Sequence, residues 1–187
     1  MAKKKALAPR LPHSFEDLCE KGFLENVSKS KRFVTDGHSL LLRKMVTDKK
    51  LVKKVDRKDG HVEEAAIASL WNAVAERQHA MAHFIGCGRV KEGGDSRVVA
   101  CLKGGGNRFV FVDSYKLAFV VRATNADTLV ISEERDWASA PVAICRRDTI
   151  CGMLMPMRYS VGDLKAYDLK TAAPVPLDKV FVPLTLP

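Results

Sequence analysis

Paired cysteines, long apolar runs and catalytic signatures are all missing from this 187-residue chain, and each absence excludes a class of protein. No apolar run approaches the ~18–20 residues that a membrane span requires, and the start, MAKKKALAPR, lacks the apolar core of a signal peptide. A transmembrane or secreted protein is therefore not expected, and the expected compartment is the cytoplasm. The five cysteines (Cys19, Cys87, Cys101, Cys145 and Cys151) are odd in number, scattered and without a C-x-x-C pair. That pattern fits reduced thiols and argues against a zinc knuckle or a disulfide framework. Cys101, Cys145 and Cys151 stand in apolar surroundings and are expected in the core.

Catalytic motifs are equally scarce. There is no Gly-x-Ser-x-Gly elbow and no paired Cys/His motif. Gly104-Gly105-Gly106-Asn107 would cradle a phosphate only if it opened a helix, but a strand-like run, Arg108–Val112, follows it, so a hairpin loop is expected. His79 and His83 stand four apart in a helical pattern, where two imidazoles can share a metal. The H-E-x-x-H arrangement is absent, and a surface or boundary pair is the favoured reading. No catalytic residue, metal or cofactor is assigned.

What is present is a basic excess with a definite position. The net charge of +9 lies wholly in residues 1–58, which hold 16 Lys/Arg against 7 Asp/Glu; the remainder is neutral. Such a block attracts polyanions by counterion release. The candidates for phosphate contact are Lys29, Lys31, Arg32, Arg43, Lys44, Lys49, Lys50, Lys53, Lys54, Arg57 and Lys58. A solvated, solubilising loop is the competing reading, because Phe33 is the only aromatic residue interleaved to stack on bases.

Hydrophobic content of 47% with 28% charged residues marks a globular protein, and a chain of this length buries roughly 70% of its unfolded surface without a staple. The expected organisation is a basic arm at 1–13, a folded domain at 14–158 and a proline-rich extension at 159–187. Ser14 caps an expected helix from Phe15 to Val27. Lys31–Val34 and Ser39–Val46 read as strands around Asp36-Gly37, and residues 47–61 as an exposed loop. Ile67, Leu70, Trp71, Val74, Met81 and Ile85 recur at helical spacing and predict one long helix, Val62–Ile85. A strand at Arg97–Leu102, a helix at Ser114–Thr124 and strands at Leu129–Ser132, Pro141–Cys145 and Cys151–Met155 follow. In the tail, the apolar patches Val180–Val182 and Leu184–Leu186 suit an edge strand or a strap over a groove. The alternation of helices with clustered short strands indicates an α+β fold with antiparallel sheets.

Two segments carry a family resemblance. Thr35-Asp36-Gly37-His38-Ser39-Leu40 resembles the T-D-G-H-R-L hairpin of bacterial sliding clamps, the β subunit of the replicative DNA polymerase. Phe109–Arg158, with Phe111-Val112-Asp113-Ser114-Tyr115-Lys116-Leu117, Ala140-Pro141-Val142-Ala143-Ile144 and a closing Met155-Pro156-Met157-Arg158, resembles that family's last stretch in order and spacing. The resemblance covers about a third of the chain and implies a clamp-like domain, two or three helices with antiparallel sheets in a pseudo-two-fold βαβββ repeat. It also implies a pocket for linear peptides of polymerases, loaders and repair proteins, lined by Thr35, Gly37, His38, Leu40, Met153, Met155, Pro156, Met157 and Arg158. Methionines suit such a pocket because they repack around different side chains. The same methionines also fit plain alternation along an edge strand with no ligand.

The chain departs from the family in three ways. Ser39 replaces an arginine, the length is that of one domain rather than three, and 29 residues follow Arg158. The leading expectation is thus a reduced clamp-like replication accessory, phage- or plasmid-encoded, that binds DNA without sequence preference and forms a ring only as a homo-oligomer. A clamp-mimicking interaction module without processivity is the second expectation. A small basic enzyme acting on nucleic acid through His79/His83 or Asp36/His38 is the third.

Overall fold

Short runs of apolar side chains, interrupted by tight turns, build the strands that make up the larger part of the regular structure among the described residues. The computed structural model describes residues 28–29, 31–47, 63–92, 95–159 and 172–177. The expected arm at 1–13, the Phe15–Val27 helix, most of the lysine-rich loop and the apolar patches at 180–182 and 184–186 lie outside the described residues.

In chain order the elements are β1 (Ser28–Lys29), β2 (Phe33–Thr35), β3 (Ser39–Leu42), α1 (Glu64–Ala75), β4 (His79–Glu92), β5 (Asp95–Lys103), β6 (Phe109–Asp113), α2 (Ser114–Thr124), β7 (Thr128–Ser132), β8 (Val142–Arg146) and β9 (Thr149–Leu154). The strands form one sheet in the order β1-β2-β3-β9-β8-β7-β4-β5-β6. Every neighbouring pair is antiparallel. The fold is α+β, as the alternation of elements predicts.

α2 begins and ends where the sequence places it. Asp113 caps it, its Oδ1 accepting from the Lys116 N–H at 2.9 Å, and Asn125 closes it with a left-handed φ of 56°. Between these caps nearly every side chain is buried, Leu117 and Val120 completely. The β8–β9 hairpin turns through Arg147 and Asp148, both with positive φ, the pattern of a two-residue type I′ turn.

The long helix expected at Val62–Ile85 is corrected. α1 stops at Ala75, and His79–Ile85 belongs to β4. Ala80, Met81 and Ala82 are good helix formers locally, but this segment gains more by pairing on both sides. Residues 79–82 bond to β7 and residues 83–92 to β5, with a register shift between Phe84 and Gly86, where Gly86 takes a φ of +144°. At that shift the carbonyl of Phe84 accepts from the Val175 N–H at 2.7 Å, so residues 172–177 lie across the sheet there.

The two helices cover opposite faces. Leu41, Val142, Ile144 and Leu154 share a buried cluster with Leu117 and Val120 of α2. Their strand neighbours Leu40, Leu42, Ala143 and Met153 turn the other way, toward Trp71 and Val74 of α1. Gly152 of β9 sits directly under α2. A Cβ there would stand 2.8 Å from Val120 Cγ1 and 3.0 Å from Leu41 Cδ2. Four of the cysteines are buried and unpaired, Cys101, Cys145 and Cys151 among them, as expected. Among the described residues no helix is long and apolar enough to cross a membrane.

Candidate functional site

The hairpin at Thr35–Leu40 owes its shape to its own side chains. Asp36 Oδ1 accepts from the His38 N–H at 3.0 Å and from the Ser39 N–H and hydroxyl, each at 2.6 Å. Thr35 Oγ1 accepts from the Gly37 N–H at 3.0 Å and donates to the Ser39 carbonyl at 2.7 Å. Gly37, with a φ of +85°, supplies the left-handed step. The second carboxylate oxygen of Asp36 meets Lys116 Nζ at 3.0 Å and ties the hairpin to the first turn of α2. Ser39, where the clamp motif has arginine, is buried and engaged with Asp36.

Beside this hairpin runs the methionine-rich stretch. β9 is not an edge strand; it lies between β3 and β8, with Leu40 opposite Met153 and Ser39 opposite Leu154. Past the end of β9, the Met155 N–H still donates to the His38 carbonyl at 2.8 Å. Two segments more than a hundred residues apart are thereby laid edge to edge.

Their junction opens into two cavities. The first, of about 270 Å³, is mainly apolar and is lined by Thr35, Gly37, His38, Leu40, Met153 and Met155 of the nine sequence-predicted residues. Its far wall comes from Ile67 and Leu70 of α1 and from Pro141. Leu70 and Met155 are among the few large apolar side chains left exposed, at 44% and 40%. The second cavity, of about 290 Å³, takes Pro156, Met157 and Arg158. Met157 is held there by a bridge to Phe111, its N–H donating to the Phe111 carbonyl at 2.7 Å. Arg97, Asp113, Lys116 and Tyr159 complete that lining, and His38, Leu154 and Met155 are common to both cavities. The nine residues thus gather at one place, divided between two adjoining hollows.

Sequence reasoning missed the contributions of Ile67, Leu70, Arg97 and Lys116. For the first two the signal was available, since their three-residue spacing puts them on one face of α1. Nothing local marks Arg97 or Lys116 as neighbours of the methionines.

Four of the basic candidates, Lys31, Arg32, Arg43 and Lys44, lie elsewhere on the hairpin. Arg32 and Arg43 meet at its open end, away from the turn, where the Arg43 N–H donates to the Arg32 carbonyl at 2.9 Å. Lys31, Arg32 and Lys44 are exposed. The backbone of Lys29 lies in β1, while Lys49, Lys50, Lys53, Lys54, Arg57 and Lys58 fall outside the described residues. Phe33 is unavailable to stack on bases: it is fully buried, 5.3 Å from the Trp71 ring, and carries the Arg32 guanidinium over its face at 5.1 Å.

The paired-histidine reading does not survive. His79 and His83 lie on a strand, where four residues span roughly 13 Å. His79 Nε2 donates to the Val74 carbonyl at 2.7 Å. Among the described residues no group of three His, Cys, Asp or Glu side chains is placed to hold a metal. Among the described residues the thiols are poor nucleophiles, since burial pushes Cys87 and Cys101 up to about 12 and Cys145 to about 11, far from thiolate at neutral pH. Family models, curated proteins and solved structures contain no match to this chain.

Proposed function

We propose that the protein is a clamp-like accessory of DNA replication that receives linear peptides of partner proteins in the cavity between the Thr35–Leu40 hairpin, Met153–Met155 and α1. The observation that carries this reading is the pairing of β3 with β9, which lays the two clamp-like motifs side by side around an apolar cavity. Flexible methionine and leucine side chains at its mouth suit a leucine or phenylalanine anchor. Exposed Lys31, Arg32 and Lys44 at the other end of the hairpin support contact with DNA phosphates away from the peptide.

The order β6-α2-β7-β8-β9 supports one βαβββ unit. The preceding β3-α1-β4-β5 has one strand fewer among the described residues, and its helix covers the other face of the sheet. That asymmetry favours a second reading, an interaction module that captures clamp-binding proteins and forms no ring.

A labelled peptide carrying a Gln-x-x-Leu-x-Phe-like motif tests the pocket by fluorescence anisotropy. Saturable binding that Leu70→Asp abolishes and Met155→Ala weakens supports the reading; absence of binding removes it. Duplex DNA titrated at ~50 and ~200 mM salt separates the two versions, because phosphate contacts lose affinity steeply as salt rises. Light scattering that finds a strict monomer at high concentration excludes the ring.

A further inference from the structure

Resting on the peptide-receptor reading, we infer that the second cavity is an acidic-group subsite: the partner segment carries a carboxylate beside its apolar anchor, seated among Arg97, Lys116 and Arg158. The two cavities share His38, Leu154 and Met155, so one extended peptide passing over the His38–Met155 junction fills both. Three cations and one carboxylate, Asp113, line the second hollow. Asp113 already accepts the Lys116 N–H at 2.9 Å as the cap of α2, and the Lys116 ammonium is held by Asp36 at 3.0 Å. Arg158 is exposed at the rim, and among the described residues no carboxylate stands within ion-pair distance of it. Its guanidinium offers the fork geometry that a carboxylate matches with two hydrogen bonds.

This arrangement makes the receptor selective. The apolar hollow alone accepts any leucine or phenylalanine of suitable reach, whereas the adjoining cations favour an acidic neighbour and repel a basic one. The inner walls (Leu154, Met155, Pro156 and Met157) are apolar, while Arg97 and Arg158 reach solvent, so the pairing is that of a partly exposed ion pair and weakens as salt rises.

The test uses the full chain and fluorescein-labelled peptides built on Leu-x-Phe, with a single Asp at successive flanking positions and Asn counterparts. At one placement the Asp peptide is expected to bind about fivefold more tightly than its Asn partner, a preference that shrinks as salt rises. Arg158→Glu, an exposed change that leaves the melting temperature in place, is expected to erase that preference and to favour a Lys peptide instead. Equal binding of Asp and Asn peptides at every placement, with Leu70→Asp still abolishing binding, overturns the acidic subsite and leaves the peptide receptor standing. Failure of every peptide to bind removes both. A short oligonucleotide that displaces Asp and Asn peptides alike, and ceases to do so in Arg158→Glu, assigns the cavity to nucleic-acid phosphates and likewise overturns the inference.

Discussion

Lys116 Nζ stands 3.0 Å from Asp36 Oδ2, joining the first turn of α2 to a hairpin 80 residues earlier in the chain. Both side chains are almost withdrawn from water, at 12% and 2% exposure, so neither charge is cheaply left alone. Asp36 keeps donors from His38 and Ser39 when the ammonium is removed, whereas Lys116 loses its ion-pair partner when the carboxylate is removed and keeps only the more distant charge of Asp113.

The two truncations should therefore differ. Asp36→Ala removes the ammonium's partner and the acceptor for three hairpin donors, and is expected to cost about 3 kcal/mol. Lys116→Met preserves the stem packing and leaves the carboxylate hydrogen-bonded, at about 1–2 kcal/mol. Urea midpoints of the two variants and of the double variant measure the coupling.

Asp113 predicts a pH dependence of defined sign. Burial is the main cause that raises its pKa above the ordinary 3.8, outweighing the Lys116 N–H and ammonium and the Arg97 guanidinium. The folded state therefore takes up this proton before the unfolded chain does. Its contribution to stability is present in full below pH 3.8 and is lost as pH rises through the raised folded value. Asp113→Asn retains a capping oxygen and carries no charge to bury. Its stability is expected to match or exceed that of the wild type at pH 7, and this difference should vanish toward pH 3.5. Denaturant unfolding at a series of pH values checks the trend.

Much of this framework was legible in the sequence, and the reasons are local. Asp36-Gly37 encodes the turn of the hairpin, and Asp113 with Asn125 bounds α2 at the expected residues, because caps and left-handed steps are properties of a few neighbouring side chains. His79–Ile85 departs from the helix its spacing predicts because pairing with β7 and with the far end of β5 decides its state, and neither partner segment is adjacent to it in sequence. A weak signal existed in the alternation of buried Ala82 and Phe84 with exposed Met81 and His83. The apolar lining and Arg158 followed from motif resemblance, whereas Arg97 and Lys116 did not, because only the fold brings them to the second cavity.

At Gly152 the sheet approaches α2 too closely to leave room for a side chain. Gly152→Ala would press a methyl group on Val120 and Leu41, at 2.8 and 3.0 Å, and both side chains are packed in the core, so the helix or the strand must give way. The expected loss is about 2 kcal/mol, seen as a lower melting temperature. Because Leu40 and Met153 flank the apolar cavity, peptide affinity is expected to fall in the same variant.

The thiols supply a further measurement. Cys87, Cys101, Cys145 and Cys151 are buried, with pKa values raised chiefly by that burial. A thiol-disulfide reagent at pH 8 is expected to modify at most one of the five cysteines quickly in the native protein, and all five in guanidinium. Rapid native reaction of two or more contradicts the burial described.

The β3·β9 pairing also sets an order of assembly. The β4–β5 and β8–β9 hairpins close short loops and can form early. Leu40 meets Met153 only after more than a hundred residues have been organised between them. Among the described strand pairs this seam spans the longest stretch of chain, so it is expected to close after the hairpins. In the native state the Met155 N–H on the His38 carbonyl, past the end of β9, is expected to exchange before the amides inside β3 and β9. A segment bound across the His38–Met155 junction would slow the exchange of that amide, so its protection would report occupancy of the cavities directly.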